Sequence, residues 1–270
     1  MRYRSVLVAC VVVLGMLAAA LPVAAQEAGE PITWVISVTV KPGKFPELEQ
    51  ATETYDKPVF DRLVANGTIM SWGFGRQVIG PPSESGTYWV TAADWTAMGK
   101  VDKAFEDNYK SMKPEDAKEA MTAFYGATVP EKESSSVVRH VVFKGTPGGS
   151  VNYLARHVYK IKSGKGQAAM KTWKEYNAPV YDKLLAAGVI SGYGVAVPEY
   201  HDGSGWTHTF WTSFSEMSQI DAMDKAFEEA DKVRGETINE TLMSNWIQMH
   251  DMDAHWDSLM KVSMYGGAAK

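Results

Sequence analysis

Cysteine is almost absent from this sequence, and so are two other features that would point to a particular chemistry. Cys10 is the only cysteine among 270 residues, which excludes a disulfide framework and a cysteine-rich metal site. Basic residues are outnumbered 27 to 32 by acidic ones, so a broad nucleic-acid-binding surface is not expected. No glycine-rich loop follows a strand and opens a helix, which argues against a nucleotide site. The 45% hydrophobic content is nevertheless that of a globular protein with a buried core.

A long hydrophobic run occurs only near the N-terminus. Two arginines in the first four residues precede an apolar run over residues 6–21, and the small residue Ala25 suits signal-peptidase cleavage before Gln26. This pattern predicts a secretory signal over residues 1–25 and a periplasmic or secreted protein. Retention of the segment as a membrane anchor is the alternative, because its length is near the lower limit for a membrane span. Cys10 lies within the signal, so the exported domain would contain no cysteine.

The sequence after the signal is an internal duplication. The residues from Tyr55 to Gly73 recur in type from Tyr176 to Gly194 with a constant spacing of 121 residues, and Asp102–Glu106 recurs downstream with a spacing of 122. Such self-similarity predicts two copies of one structural unit. We place the first repeat at residues 26–147 and the second at residues 148–270. The recurring residues of the first segment are Tyr55, Pro58, Val59, Asp61, Leu63, Gly67, Ile69 and Gly73, which match Tyr176, Pro179, Val180, Asp182, Leu184, Gly188, Ile190 and Gly194.

Each repeat predicts the same order of elements, βαββαβ. Alternating residues indicate the strands, and longer amphipathic segments ending near glycine indicate the helices. Pro58 and Pro179 fall inside the first helix of each repeat and predict a kink or break there. The predicted strands are 34–40, 69–75, 87–93 and 137–143 in the first repeat and 155–161, 190–196, 209–215 and 259–265 in the second. The predicted helices are 46–65, 97–112 and 114–124, then 167–187, 217–233 and 236–249.

The βαββαβ order is the ferredoxin-like, split βαβ arrangement, in which helices cover one face of a four-stranded sheet. The repeated segment Tyr-x-x-Pro-Val-aromatic-Asp-basic-Leu occurs in both repeats. On this order and this segment the chain resembles a tandem-repeat member of the dimeric α+β barrel superfamily, whose relatives include NIPSNAP-like, EthD-like, antibiotic-biosynthesis monooxygenase-like and stress-responsive A/B-barrel proteins. The resemblance implies an α+β fold in which the two repeats pack sheet to sheet as an intramolecular eight-stranded barrel. It also implies a range of functions, from heme enzymes and cofactor-free oxygenases to proteins of unknown role, so it assigns no single chemistry.

Candidate ligand-binding residues are those that strand alternation directs into the space between the two sheets. Alternation groups Arg139 with Phe143, and Lys261 with Tyr265, on the inner face of the last strands, and it places His140 on the helix side. An aromatic and partly basic interior would bind a small planar or anionic molecule by stacking and charge-assisted hydrogen bonds. The alternatives are that the tryptophans only pack the core and that the basic side chains reach water at the barrel rims. The candidate ligand-binding residues are Trp89, Trp211, Arg139, Lys261, Arg156, His157, Tyr159 and Tyr265.

The histidines give a second, separate prediction. His157 and Tyr159 lie on the strand face opposite to Arg156, so a heme ligand or an acid–base role would follow if that face were the interior. A packed core or edge histidine is the alternative. His250 and His255 are five residues apart, which does not place them on one helical face, and no metal site is predicted.

Three functions remain open on this sequence, because no complete catalytic motif and no catalytic residue can be assigned. The first is an exported small-molecule-binding or stress-associated protein. The second is a heme-dependent or cofactor-free monooxygenase-like enzyme, with heme as the only cofactor considered, and the third is a protein-interaction module. No nucleic-acid partner and no membrane span after signal removal are predicted, and the fused repeats predict a monomeric pseudo-dimer.

Overall fold

The described residues of the computed structural model are 30–81, 85–146, 148–200 and 205–267, so the predicted signal at residues 1–25 lies outside them. Both halves have the predicted βαββαβ order. The first half contains β1 (Ile32–Val40), α1 (Phe45–Ala51), a π-helical turn (Thr52–Asp56), α2 (Lys57–Ala65), β2 (Ser71–Ile79), β3 (Ser85–Ala92), α3 (Trp95–Ser111), α4 (Pro114–Ala127) and β4 (Thr128–Gly145). The second contains β5 (Tyr153–Ile161), α5 (Gly166–Tyr176), α6 (Ala178–Ala186), β6 (Gly192–Pro198), β7 (His208–Phe214), α7 (Gln219–Arg234), α8 (Glu236–Met249) and β8 (His250–Gly267).

The eight strands close into one barrel in the order β1-β3-β2-β8-β5-β7-β6-β4. Each half supplies four neighbouring strands, and the halves join at two antiparallel seams, β2 with β8 and β4 with β6. Pairing at the seams satisfies the backbone groups that the edge strands of separate sheets would leave open. The predicted α+β fold, an intramolecular eight-stranded barrel of two ferredoxin-like repeats, is confirmed.

The predicted helix breaks at the two prolines are confirmed. Pro58 lies in the first turn of α2, directly after the π-helical turn, and Pro179 lies in the first turn of α6, directly after α5 ends. Proline has no backbone N–H to donate to the preceding turn, so the regular hydrogen-bond ladder cannot run through either position. The predicted helix is therefore interrupted in each half, by the π-helical turn Thr52–Asp56 in the first and at Asn177 in the second.

The helices cover the outer face of the barrel and fix which strand face points inward. On β1, Ile32 and Val38 belong to a core beneath the helices of the first half, together with Trp72 and Phe74 of β2. Trp72 is fully buried and stacks on Phe60 of α2, with ring centroids 4.8 Å apart. Because strand side chains alternate, the intervening residues face the barrel lumen. No helix in the described ranges is long and apolar enough to cross a membrane.

The last strand of each half changes face part-way along its length. The β4–β6 register skips Val141, and the β2–β8 register skips Ser263, which is the equivalent position 122 residues later. Each skipped residue is a β-bulge, and one extra residue exchanges the inward and outward faces beyond it. On such a strand, every second residue therefore lies on one face before the bulge and on the other face after it.

Candidate ligand site in the barrel lumen

A cavity of about 1090 Å³ occupies the barrel lumen. Its volume is in the range of sites that enclose a drug-sized molecule. The wall alternates aromatic, aliphatic and hydroxyl side chains, because each strand contributes every second residue. Wall residues include Thr33, Val35, Ser37, Thr87, Trp89, Thr91, Leu154, Arg156, Val158, Thr209, Trp211, Ser213 and Met260.

Two tryptophans at equivalent positions form opposite parts of this wall, and each lies against a glycine. Trp89 is paired with Gly73 of β2, and Trp211 is paired with Gly194 of β6. A Cβ atom on Gly73 would lie 2.0 Å from Cζ2 of Trp89, and one on Gly194 would lie 2.7 Å from the same atom of Trp211. Only glycine leaves room for the indole to lie against the neighbouring strand. The duplicated Gly–Trp pairs thus keep both rings along the wall.

Arg156 is the charged side chain of the lumen wall on β5. Its Nε donates a hydrogen bond to Oγ of Ser258 at 3.2 Å, and its guanidinium carbon lies 5.6 Å from the ring centroid of Trp256. Within the described part of the chain no carboxylate lies within 4.0 Å of its nitrogens. Burial lowers the pKa of Arg156 to about 10, so the group stays protonated at neutral pH. The wall therefore carries a cation that no described protein carboxylate neutralises.

His140 links the two halves of the wall through a chain of hydrogen bonds. Nε2 of His140 lies 2.7 Å from Oγ1 of Thr33, which lies 2.8 Å from Oγ1 of Thr91, and Nε1 of Trp211 donates to Nδ1 of His140 at 3.3 Å. Indole can only donate, so Nδ1 accepts and the proton sits on Nε2. Burial lowers the pKa of His140 to about 4. The imidazole is therefore neutral at pH 7, with both ring nitrogens engaged.

Four of the eight candidate residues line this cavity, namely Trp89, Trp211, Arg156 and Tyr265. Tyr265 follows the bulge in β8 and faces the lumen opposite Gly73. The structure therefore brings two indoles, a phenol and a guanidinium into one space, while their role in binding a ligand stays a prediction.

The predicted inward position of Arg139 and Lys261 is wrong. Arg139 is paired with Ile32 on the outer face, and its Nε donates to Oε2 of Glu199 at 2.7 Å. Lys261 is paired with Arg76 and is exposed on the outside of the barrel. Both residues precede the bulge of their strand. The alternation orients the residues after the bulge correctly, but the extra residue of the bulge reverses the face of those before it.

His157 and Tyr159 also lie outside the lumen, on the helix side of β5. Nδ1 of His157 is 2.8 Å from Oδ1 of Asp257 in an exposed ion pair. Tyr159 packs against Trp246 and His250, with ring centroids 5.2 and 5.3 Å away. A heme-ligand or acid–base role was expected for His157 only if its strand face were the interior. That face is on the outside of the barrel, so the expectation no longer applies.

Two wall residues were not predicted. His140 was placed on the helix side, and Trp256 was assigned to no element. No sequence feature marks the bulge that turns His140 inward. Trp256 shares the parity of Ser258 and Met260, which the predicted alternation places opposite to Lys261 and therefore on the helix side, so parity alone could not have identified it.

Heme does not fit this wall through a histidine ligand. His140 is the only histidine among the described residues that line the cavity, and both of its nitrogens make hydrogen bonds within the protein. An axial ligand needs one free ring nitrogen. Within the described ranges no three His, Cys, Asp or Glu side chains form a metal-binding group.

No protein-family model and no curated protein sequence matches this chain. Among solved structures it is similar to a "putative monooxygenase" from Fusobacterium nucleatum subsp. nucleatum ATCC 25586, with a TM-score of 0.61 and 11% identity over 89% of this chain and 96% of that one. It is equally similar to a "putative monooxygenase" from Lactobacillus acidophilus NCFM, with a TM-score of 0.61 and 9% identity over 89% and 98% of the two chains. At these identities the likeness shows the fold alone, which is the α+β barrel that the sequence predicts.

Proposed function

We propose that the protein binds a small planar or anionic organic molecule in the barrel lumen. The observation that carries the proposal is one cavity wall with two tryptophans and one arginine that has no carboxylate partner among the described residues. Aromatic walls bind planar rings by stacking, and a guanidinium binds anions through its fork of N–H donors.

The unused donors of Arg156 support a ligand. The side chain is half-buried, and a partly desolvated charge without a partner is less favourable than one that another group neutralises. Arginine has five N–H donors, and the described protein groups use only the one on Nε. A bound anion would accept hydrogen bonds from donors that are left over.

Binding accounts for this wall better than the monooxygenase-like alternative. The two solved neighbours with monooxygenase descriptions share only the fold at 9–11% identity. His140, the histidine of the described wall, is neutral and engaged at both nitrogens, so it has no lone pair free to accept a proton from a substrate. We therefore assign the lumen to binding, as in the exported binding or stress-associated protein considered for the sequence.

Fluorescence titration with N-phenyl-1-naphthylamine, a neutral planar probe, tests lumen binding. We expect saturable energy transfer from tryptophan, and an affinity at least about tenfold weaker in the double variant Trp89→Leu/Trp211→Leu, since stacking on both walls is lost. Trp95→Leu is the matched control, because Trp95 is exposed on α3 outside the cavity. Far-UV circular dichroism checks that each variant is folded. Absence of saturable binding, or equal affinity in all three proteins, would overturn the proposal.

We also propose that residues 1–25 act as an export signal that is removed. The test is the intact mass of the protein recovered from the exported fraction of its producing cell. The expected mass is that of a chain that begins at Gln26. A full-length chain that stays with the membrane fraction would instead support the retained anchor.

A further inference from the structure

The lumen has an approximate twofold symmetry along the barrel axis. In the closed order, β5 lies four strands from β1, β7 lies four from β3, and β8 lies four from β4, so the equivalent strands of the two halves face each other. Every neighbouring pair is antiparallel. Opposite strands therefore run in the same direction, and equivalent residues face each other at the same height in the barrel.

The strands and several side chains of the wall follow this symmetry, but other side chains at equivalent positions differ in chemistry. Trp89 faces Trp211, and Ser136 faces its equivalent Ser258. Arg156, however, faces Val35, which occupies the same register position beside Trp89 that Arg156 occupies beside Trp211. A ligand that meets a guanidinium on one side of the lumen thus meets an isopropyl group on the other.

A second asymmetry lies one step along the strands. Ser37 is paired with Thr87 on one side and Ser134 on the other, and its Oγ lies 3.2 Å from Oγ1 of Thr87. We call these three residues the hydroxyl wall. The equivalent positions across the lumen are Val158, Thr209 and Trp256, where only Thr209 has a hydroxyl group. All six residues line the cavity, and Trp256 lies beneath the guanidinium of Arg156.

From this polarity we infer that the lumen takes one ligand per chain in one orientation, an aromatic monoanion with a neutral hydrogen-bonding group at its far end. The anionic group pairs with Arg156, the ring lies between the two tryptophan-bearing walls, and the far group reaches the hydroxyl wall. The inference rests on the proposed lumen binding and names its ligand class. A homodimer of identical units would present two equivalent arginines, whereas this fused chain presents one.

Titration calorimetry with three matched probes tests this inference on the intact protein. The probes are 2-naphthoate, its neutral analogue 2-naphthamide, and 6-hydroxy-2-naphthoate, which adds a hydroxyl at the end opposite the carboxylate. We expect one site per chain, with 2-naphthoate bound at least about tenfold more tightly than 2-naphthamide because a charge-assisted pair forms only with the carboxylate. The hydroxylated probe should bind more tightly than 2-naphthoate.

Three variants assign these differences to the wall. Arg156→Gln should bring the naphthoate and naphthamide affinities together, and Ser37→Ala/Ser134→Ala should remove only the advantage of the hydroxylated probe. Lys261→Gln is the control, because it removes a cation from the outside of the barrel. Arg156→Lys keeps the charge and should retain part of the discrimination, which separates charge recognition from a general effect on folding.

The outcomes distinguish this inference from the proposed function. If none of the three probes binds, including the neutral 2-naphthamide, lumen binding itself is wrong. If naphthoate and naphthamide bind equally well to the wild-type protein and to Arg156→Gln, lumen binding stands and the anion inference is overturned. Two sites per chain would overturn the single orientation.

Discussion

Replacing His140 by glutamine should make the protein more resistant to acid. Burial lowers the pKa of His140 to about 4, against 6.5 in an unfolded chain. Between these values the unfolded state binds more protons than the folded state, so the free energy of unfolding falls as the pH falls. The difference of about 2.5 pKa units corresponds to about 2 kcal/mol of lost stability between pH 7 and pH 5, and about 3 kcal/mol by pH 4.

Glutamine is the informative replacement because it can accept from Trp211 and donate to Thr33 without titrating. Urea unfolding followed by far-UV circular dichroism, at constant ionic strength, would give the free energy of unfolding of both proteins at each pH. His208, whose pKa burial also lowers to about 4, is present in both proteins and cancels in the comparison. A wild-type minus variant curve that is flat from pH 7 to pH 5, or that falls toward alkaline pH, would refute the assignment of a neutral, buried His140.

Two further substitutions probe close packing and a buried acid. Gly73→Ala should lower the free energy of unfolding, measured with urea, by about 1–3 kcal/mol, because its Cβ would overlap Trp89. Gly99→Ala is the control: a Cβ there meets nothing, so the free energy of unfolding should be equal or higher. Equal losses in the two variants would contradict the packing argument. Asp56→Asn should stabilise the protein by about 4 kcal/mol more at pH 8 than at pH 4, because burial raises the pKa of Asp56 from 3.8 to about 7 and folding therefore opposes its ionisation as the pH rises. Thermal unfolding at the two pH values measures this, and a gain that is the same at both would count against a raised pKa.

The internal repeat made most of the fold predictable. Two independent readings of one pattern gave the element order, and the prolines at equivalent positions marked the breaks before α2 and α6 in advance. The last strands were predicted as seven residues each but extend over 18. Their N-terminal parts contain Pro130 and a run of serines in one half and an acidic, irregular segment in the other, so no alternation indicates a strand there.

The candidate site was predictable only where strand alternation runs without interruption. Trp89, Trp211 and Arg156 lie on strand segments without a bulge, and parity gave their inward direction correctly. On β4 and β8 the bulges at Val141 and Ser263 reverse the parity, which misplaced Arg139 and hid His140. A bulge is selected by pairing with a partner strand distant in sequence, and local residue type carries little information about it.

The seam between β2 and β8 limits when the barrel can close during synthesis and folding. Ser71 is paired with Gly267, which lies 196 residues later in the sequence. The barrel therefore cannot close before β8 has been synthesised, and until then the strands of the first half have open edges. Neither half alone can enclose the cavity, because each supplies only four of the eight strands that form its wall.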